Sequence, residues 1–360
     1  MTMRTDDNSV FASLQRVTGA TYDNASYNKD LLKTYLLHNA QAQGVRLPTG
    51  DEPEEHKYLG AKVFQSTAGM SNNVTYIDVS SMYPSLILTL NASPETVVGM
   101  EDDLQVSQYT EDDCVWGYVD PRPVKHVGED ENWQQYTDGA YKIVYDPQAP
   151  EVKWTCDEAG GPQYEKLYFL KHDVKKGFLT KCVEELIDLK NKYRGTSLYG
   201  STKTVTNSVY GVIGFATEDT SFSLFDWRIA EAITLCGRKM IEYSAKQTLD
   251  YLADCGYSDA YVALGDTDGC GISVPQASTR HEVLSVVEDA VSELNEEGYD
   301  TFFAREMNVD SEYHHGEIEV ESYAPKVFIP SRDPPHDPVG VKKRRIEWQS
   351  WDEGDGEIDT

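Results

Sequence analysis

The segment YVALGDTDGCGISV, residues 261–274, constrains the fold more than any other stretch. Two apolar, β-prone runs flank a turn that carries Asp266 and Asp268 one residue apart. This pattern predicts a tight antiparallel hairpin with two carboxylates at its tip. Like charges held this close repel, so the turn needs an explanation. A solvated hairpin tip is one. A calcium loop is a second, with Asp266, Asp268 and Gly271 at positions 1, 3 and 6, but Cys270 and Ala277 would stand at positions 5 and 12 and break that pattern. The third is a divalent cation whose ligands come from several segments, because a metal between carboxylates removes their repulsion.

A second segment, NVTYIDVSSMYPSLILTLNASPETV, begins at Asn73. Val74, Tyr76 and Asp78 alternate with Thr75, Ile77 and Val79, as in a strand. Ser80 and Ser81 are helix N-cap residue types, and Pro84 suits a first helical turn. Asp78 is thus predicted at a strand end, directly before a helix N-terminus. The two together offer a carboxylate for a metal and backbone N–H groups for phosphate.

Five further stretches read as helices. LLKTYLLHNAQAQG ends at Gly44, a C-terminal stop. FLTKCVEELIDLKNKYR, 178–194, has an apolar stripe of Leu179, Cys182, Val183, Leu186 and Ile187 that Lys190 continues, with Arg194 one turn on. In STKTVTNSVYG, Lys203, Asn207 and Tyr210 share one face if the segment is helical. Residues 226–256 form a long amphipathic helix, and 281–297 a shorter one. YKIVYDP, EVKWTCDE and GEIEVESYAPKVFIP read as strands, the first two inside a β-rich excursion at about 99–170. The densest basic run is VGVKKRRIEW, and residues 349–360 are an acidic tail.

The chain of 360 residues carries 61 acidic and 32 basic side chains, a net charge of −29. Either solubility or life in concentrated salt accounts for that excess, since screening makes self-repulsion cheap at high ionic strength. The charge opposes a nucleic-acid partner only if acid also covers the binding face. No apolar run reaches the ~20 residues of a membrane span and the N-terminus lacks a secretory h-region, so a cytoplasmic protein without membrane contact is expected. The six cysteines form no CxxC pair, which leaves free thiols as the expectation rather than a zinc knuckle. The NVT and NAS sequons carry little weight without a secretory signal.

Taken in order, DVSSMYPSLI, KTVTNSVYG and LGDTDG resemble the three polymerase motifs of family B DNA polymerases. NASPET, ITLCGRKMIEY and APKVFIP…GVKKRRIEW extend the likeness over about residues 15–350, with a halophilic, haloarchaeal or haloarchaeal-virus character given by the charge. The resemblance implies an α+β fold: a palm of antiparallel sheet backed by helices, with a helical-hairpin fingers subdomain. It divides the chain into a lead-in and linker (1–57), the N-terminal palm with its insertion (58–170), fingers (171–215), C-terminal palm (216–348) and tail. An exonuclease domain and a thumb are expected to be absent, to be supplied if needed by a separate polymerase chain.

The implied reaction is template-directed DNA synthesis from dNTPs on primer–template DNA with two Mg²⁺ ions, Mn²⁺ being an alternative. By similarity Asp78 and Asp268 are the catalytic metal ligands, with the Val79 carbonyl as a further ligand and Asp266 in a lesser role. The backbone around Ser81, Met82 and Tyr83 would cradle the triphosphate, with Tyr83 as the gate against a ribose 2′-hydroxyl. Lys203, Asn207, Lys190 and Arg194 would contact the triphosphate, and Tyr210 and Gly211 would lie near the nascent base pair. Lys326, Lys343 and Arg344 would bind DNA. Four departures stand out: Lys190 and Arg194 exchange the family's usual Arg and Lys, Leu264 replaces a Tyr, Gly269 replaces a Ser, and Phe328 replaces the Tyr of a Lys-x-Tyr segment. The rival reading is a non-catalytic, decayed subunit that binds DNA or a partner; a metal-dependent nuclease is a weaker third, since it leaves the fingers without a purpose.

Overall fold

The computed structural model describes residues 28–46, 58, 60–61, 63–64, 68–120, 141–143, 154–156, 164–196, 198–214, 226–330 and 345–348. The chain opens with α1 (Asn28–Gln43), which stops at Gly44 in the left-handed region (φ 65°), where a residue without Cβ fits at no cost. The strands β1 (Val63–Phe64) and β2 (Gly69–Val79) follow, then α2 (Met82–Thr89). Next come β3 (Val97–Gly99), α3 (Glu101–Val106), β4 (Cys114–Val119), β5 (Tyr141–Ile143), β6 (Trp154–Cys156) and β7 (Glu165–Leu170). A helical section holds α4 (Phe178–Lys192), α5 (Tyr199–Asn207), α6 (Val209–Gly214) and the 28-residue α7 (Trp227–Asp254). The chain continues through the hairpin β8 (Tyr261–Asp266) and β9 (Gly269–Ser273), then α8 (Arg280–Glu293), α9 (Tyr299–Met307), β10 (Ile318–Ile329) and β11 (Ile346–Trp348).

Six strands form one antiparallel sheet in the order β1-β8-β9-β2-β10-β11. Strand alternation gives the sheet two unlike faces. Ile77, Val79, Val262, Cys270, Ile272 and Ile318 point into the main core with α2, α7, α8 and α9. Val74, Tyr76, Leu264, Ala324 and Val327 form a smaller cluster on the other face, and Asp78 follows Tyr76 on that side. Burying one face against helices while the other carries polar groups is what the alternating sequence of β2 requires. Two smaller sheets, β3-β7-β4 and β5-β6, lie in the region of the β-rich excursion.

Three local expectations differ from the fold. The helix read over 178–194 ends at Lys192, so Arg194 stands in the turn beyond it. The segment 201–211 is two helices that meet at Ser208, whose N–H reaches both Thr204 and Val205 carbonyls and tightens the last turn of α5. GEIEVESYAPKVFIP is one long strand with a register shift between Val320 and Ser322. Other boundaries follow local chemistry: Asp226 caps α7 by accepting from the Arg228 N–H at 3.0 Å, and Thr279 caps α8 by accepting from the Glu282 N–H at 3.2 Å. Cys114, Cys182, Cys236, Cys255 and Cys270 are free thiols, and no described helix is long and apolar enough to cross a membrane.

Ile77 is fully buried and anchors the strand end that carries Asp78. Replacing Ile77 with Ala is expected to cost about 2–5 kcal/mol of stability. Urea unfolding checks this, with the midpoint lowered and the slope unchanged.

Candidate active site

The site is built from the end of β2 and the tip of the β8–β9 hairpin. β2 pairs with β9 so that Asp78 lies opposite Gly269, the residue after Asp268. The Val79 N–H donates to the Asp268 carbonyl at 2.8 Å, tying the hairpin tip to the strand end. The turn itself bends through Thr267 in the left-handed region (φ 65°), and the Asp268 N–H closes onto the Asp266 carbonyl at 2.9 Å. The Thr267 hydroxyl donates to Asp266 Oδ1 at 3.1 Å, so Asp266 shapes the turn. A Cβ on Gly269 would stand 2.8 Å from the Ile77 carbonyl oxygen and 3.0 Å from Asp78 Oδ2. The glycine leaves room for the Asp78 carboxylate.

Electrostatics record how close these acids are. Burial, then the charges of Asp268, Glu321 and Glu319, push the Asp78 carboxyl up to about 7, against the pull of Lys203. Burial, Asp266 and Glu321 also raise Asp268, opposed by its own backbone hydrogen bond and by Lys203. Glu319 pairs across the ladder with Asp78, and Glu321 occupies the β10 irregularity. Neither glutamate was singled out from sequence; only the register of β10 on β2 reveals them, although their i, i+2 spacing on a strand was a usable signal.

Cations face this acid from the helical section. Lys190 is buried on α4, and its Nζ donates to Ser81 Oγ at 3.1 Å. Burial, then the neighbouring charges of Lys203 and Arg194, lower the Lys190 ammonium below the usual lysine range. Ser81 sits at the N-cap position of α2 in the left-handed region (φ 49°), but its hydroxyl caps no backbone N–H. The expected capping role therefore gives way to a long-range bond to Lys190. Met82 is buried with its side chain against Gly237 of α7, which leaves only its backbone at the helix start. Lys203 and Asn207 are exposed on α5, and Gly211 is exposed on α6. Tyr83 and Tyr210 are half-buried, with ring centroids 4.4 Å apart.

Lys326 pairs with Asn72 in the other half of the sheet. At ~3.3 Å per residue it stands roughly 20 Å along β10 from Asp78. Lys343 and Arg344 lie outside the described residues.

The model of DNA polymerase family B matches residues 26–314. The chain belongs to DNA polymerase family B. A DNA polymerase of Archaeoglobus fulgidus is 28% identical over 263 residues, which is 72% of this chain and 26% of that protein. The DNA-directed DNA polymerase of Escherichia phage RB69 is 23% identical over 272 residues, 66% of this chain and 29% of that one. The chain therefore spans under a third of the length of these two relatives. The structure of a family B DNA polymerase from Pyrobaculum calidifontis superposes with a TM-score of 0.50 at 19% identity, covering 94% of this chain and 34% of that one. The mixed helix and antiparallel-sheet fold is thus a family B polymerase fold. Among the described residues no exonuclease domain and no thumb accompanies it.

The donor set suits a hard divalent cation. Asp78 and Asp268 supply oxygen only, as Mg²⁺ prefers. Among the described residues no three His, Cys, Asp or Glu side chains converge as one ligand cluster.

The raised Asp78 value fixes a pH dependence. The metal-free fold holds this proton more tightly than the unfolded chain does, so stability falls as pH rises from about 4 to about 7. Asp78→Asn removes that penalty. The metal-free variant is expected to be more stable than the parent at pH 7.5, on the order of 1 kcal/mol after solvent screening, and equal to it near pH 4. Thermal melts in EDTA across this range measure the difference.

Proposed function

We propose that this chain carries the nucleotidyl-transfer centre of a DNA-directed DNA polymerase, with a palm formed by the six-stranded sheet and α7–α9 and fingers formed by α4–α6. The single observation that carries the reading is the bond from the Val79 N–H to the Asp268 carbonyl, which joins two carboxylates at one end of the sheet opposite Lys203. Asp78 and Asp268 would hold two Mg²⁺ ions, with the Val79 carbonyl as a further ligand and Asp266 maintaining the turn. Bound ions would activate the primer 3′-hydroxyl and neutralise the triphosphate and the leaving pyrophosphate.

The remaining roles belong to the chain's own groups. The backbone N–H groups at the start of α2 would receive the triphosphate, aided by the positive end of the helix. Lys203, Arg194 and Lys190 would draw the triphosphate in, with Lys190 leaving Ser81 for a phosphate oxygen. Asn207 lies one turn from Lys203 and would contact the same group. Tyr83 would fill the space that a ribose 2′-hydroxyl needs. Tyr210 and Gly211 would border the nascent base pair, and Lys326, Lys343 and Arg344 would hold primer–template DNA. The net charge of −29 would face solvent away from this cationic wall, as suits concentrated salt. Grip on product duplex would fall to residues or a partner chain beyond those described.

Primer extension with Mg²⁺ and dNTPs, from low to multimolar KCl, tests the reading. Template-directed extension is expected, and Asp78→Ala or Asp268→Ala should each reduce it about a thousandfold or more. Lys203→Ala should raise the KM for dNTP roughly ten- to hundredfold with a smaller change in kcat. No extension from folded protein at any salt, with or without added exonuclease and thumb chains, would refute it.

A further inference from the structure

Three tyrosines from distant parts of the chain meet behind the nucleotide pocket. Tyr58 precedes the sheet, Tyr83 lies in the first turn of α2, and Tyr210 lies in α6. Tyr58 Oη donates to the Gly214 carbonyl at 2.8 Å and lies 3.1 Å from Tyr210 Oη. A phenol has one proton to give. Tyr58 spends its proton on Gly214, so Tyr210 is the donor in the bond between the two hydroxyls. The Tyr210 ring then packs on Tyr83 with centroids 4.4 Å apart and planes inclined by 33°. Burial raises all three hydroxyls above the usual tyrosine range, which keeps them protonated at neutral pH.

The base of this stack is itself fixed. Arg238 of α7 is buried and donates to the Gly60 carbonyl at 2.6 Å and to the Ala61 carbonyl at 3.2 Å. Two residues from Tyr58, the backbone is thus clamped to the helix that backs the sheet. A Cβ on Gly214 would stand 2.3 Å from Tyr58 Oη, so the glycine is what lets the hydroxyl reach the α6 carbonyl. These contacts leave Tyr210 little freedom, and Tyr83 has its ring against Tyr210.

We infer that Tyr58 is a positioning residue of the nucleotide pocket: by holding Tyr210 it fixes the Tyr83 ring and so sets the preference for deoxynucleotides over ribonucleotides. The inference rests on the reading above that Tyr83 faces the sugar of the incoming nucleotide. Tyr58 itself touches no substrate. Removing its hydroxyl frees Tyr210 to tilt, Tyr83 follows, and a 2′-hydroxyl finds room. Base pairing and the carboxylates are untouched, so deoxynucleotide turnover persists.

The test compares Tyr58→Phe, Tyr210→Phe and the double variant with the parent. Each is measured for kcat and KM with dATP and ATP on the same primed template. Equilibrium binding of both nucleotides is measured in parallel, with Ca²⁺ in place of Mg²⁺, and melting temperatures report on folding. The expected result is a roughly three- to tenfold loss of dATP-over-ATP selectivity in each single variant, carried by a lower KM and tighter binding of ATP, with kcat for dATP retained in Tyr58→Phe. The double variant should lose no more than Tyr58→Phe alone, because that change already deletes the bond between the two hydroxyls. Selectivity equal to the parent's in Tyr58→Phe, or losses that add in the double variant, overturns the inference while the polymerase reading stands. A folded parent that neither extends primer nor binds dATP overturns that reading, and the inference with it.

Discussion

The rest of the site depends on one antiparallel pairing. β9 lies against β2, and the Val79 N–H is bonded to the Asp268 carbonyl. That contact brings a strand-end carboxylate and a hairpin-tip carboxylate to the same end of the sheet, although 190 positions separate them in the chain. The cost is visible in the Asp78 carboxyl, pushed up to about 7 by burial and by its acidic neighbours. A fold that holds such groups together without a counter-charge gives up stability. A divalent cation between the two carboxylates would reverse that penalty.

Around this centre the molecule is organised by contrast of charge. β10 adds Glu319 and Glu321 to the acidic side. α4 and α5 oppose it with Lys190 and Lys203, and Arg194 stands just beyond the end of α4. The bond from Lys190 to Ser81 links the helical section directly to the start of α2, and the packing of Tyr210 on Tyr83 forms a second link.

Much of this was legible in the sequence because it is local. Period-two alternation fixes β2 and the β8–β9 hairpin, period 3.6 fixes α4 and α7, and Gly44 marks the end of α1. The order of the three motifs identifies the family, and Asp78, Asp268 and Lys203 come with them. What was not legible is long-range. Ser81 has the residue type of a cap, but its left-handed backbone and its bond to Lys190 depend on a helix more than a hundred residues away. The break at Ser208 costs no residue that a propensity scale would flag. Glu319 and Glu321 enter the site only through the register of β10 on β2, and Tyr58 enters only through partners on α6.

The central claim is that Asp78 and Asp268 are joint ligands of a divalent cation. The most direct measurement is calorimetric titration of Mn²⁺ into the parent, Asp78→Asn and Asp268→Asn proteins between pH 6 and pH 8. Specific binding is expected in the parent, stronger as pH rises through about 7 and Asp78 loses its proton, and absent or greatly weakened in both variants. Equal Mn²⁺ affinity in all three proteins, or affinity that does not change with pH, would contradict the account.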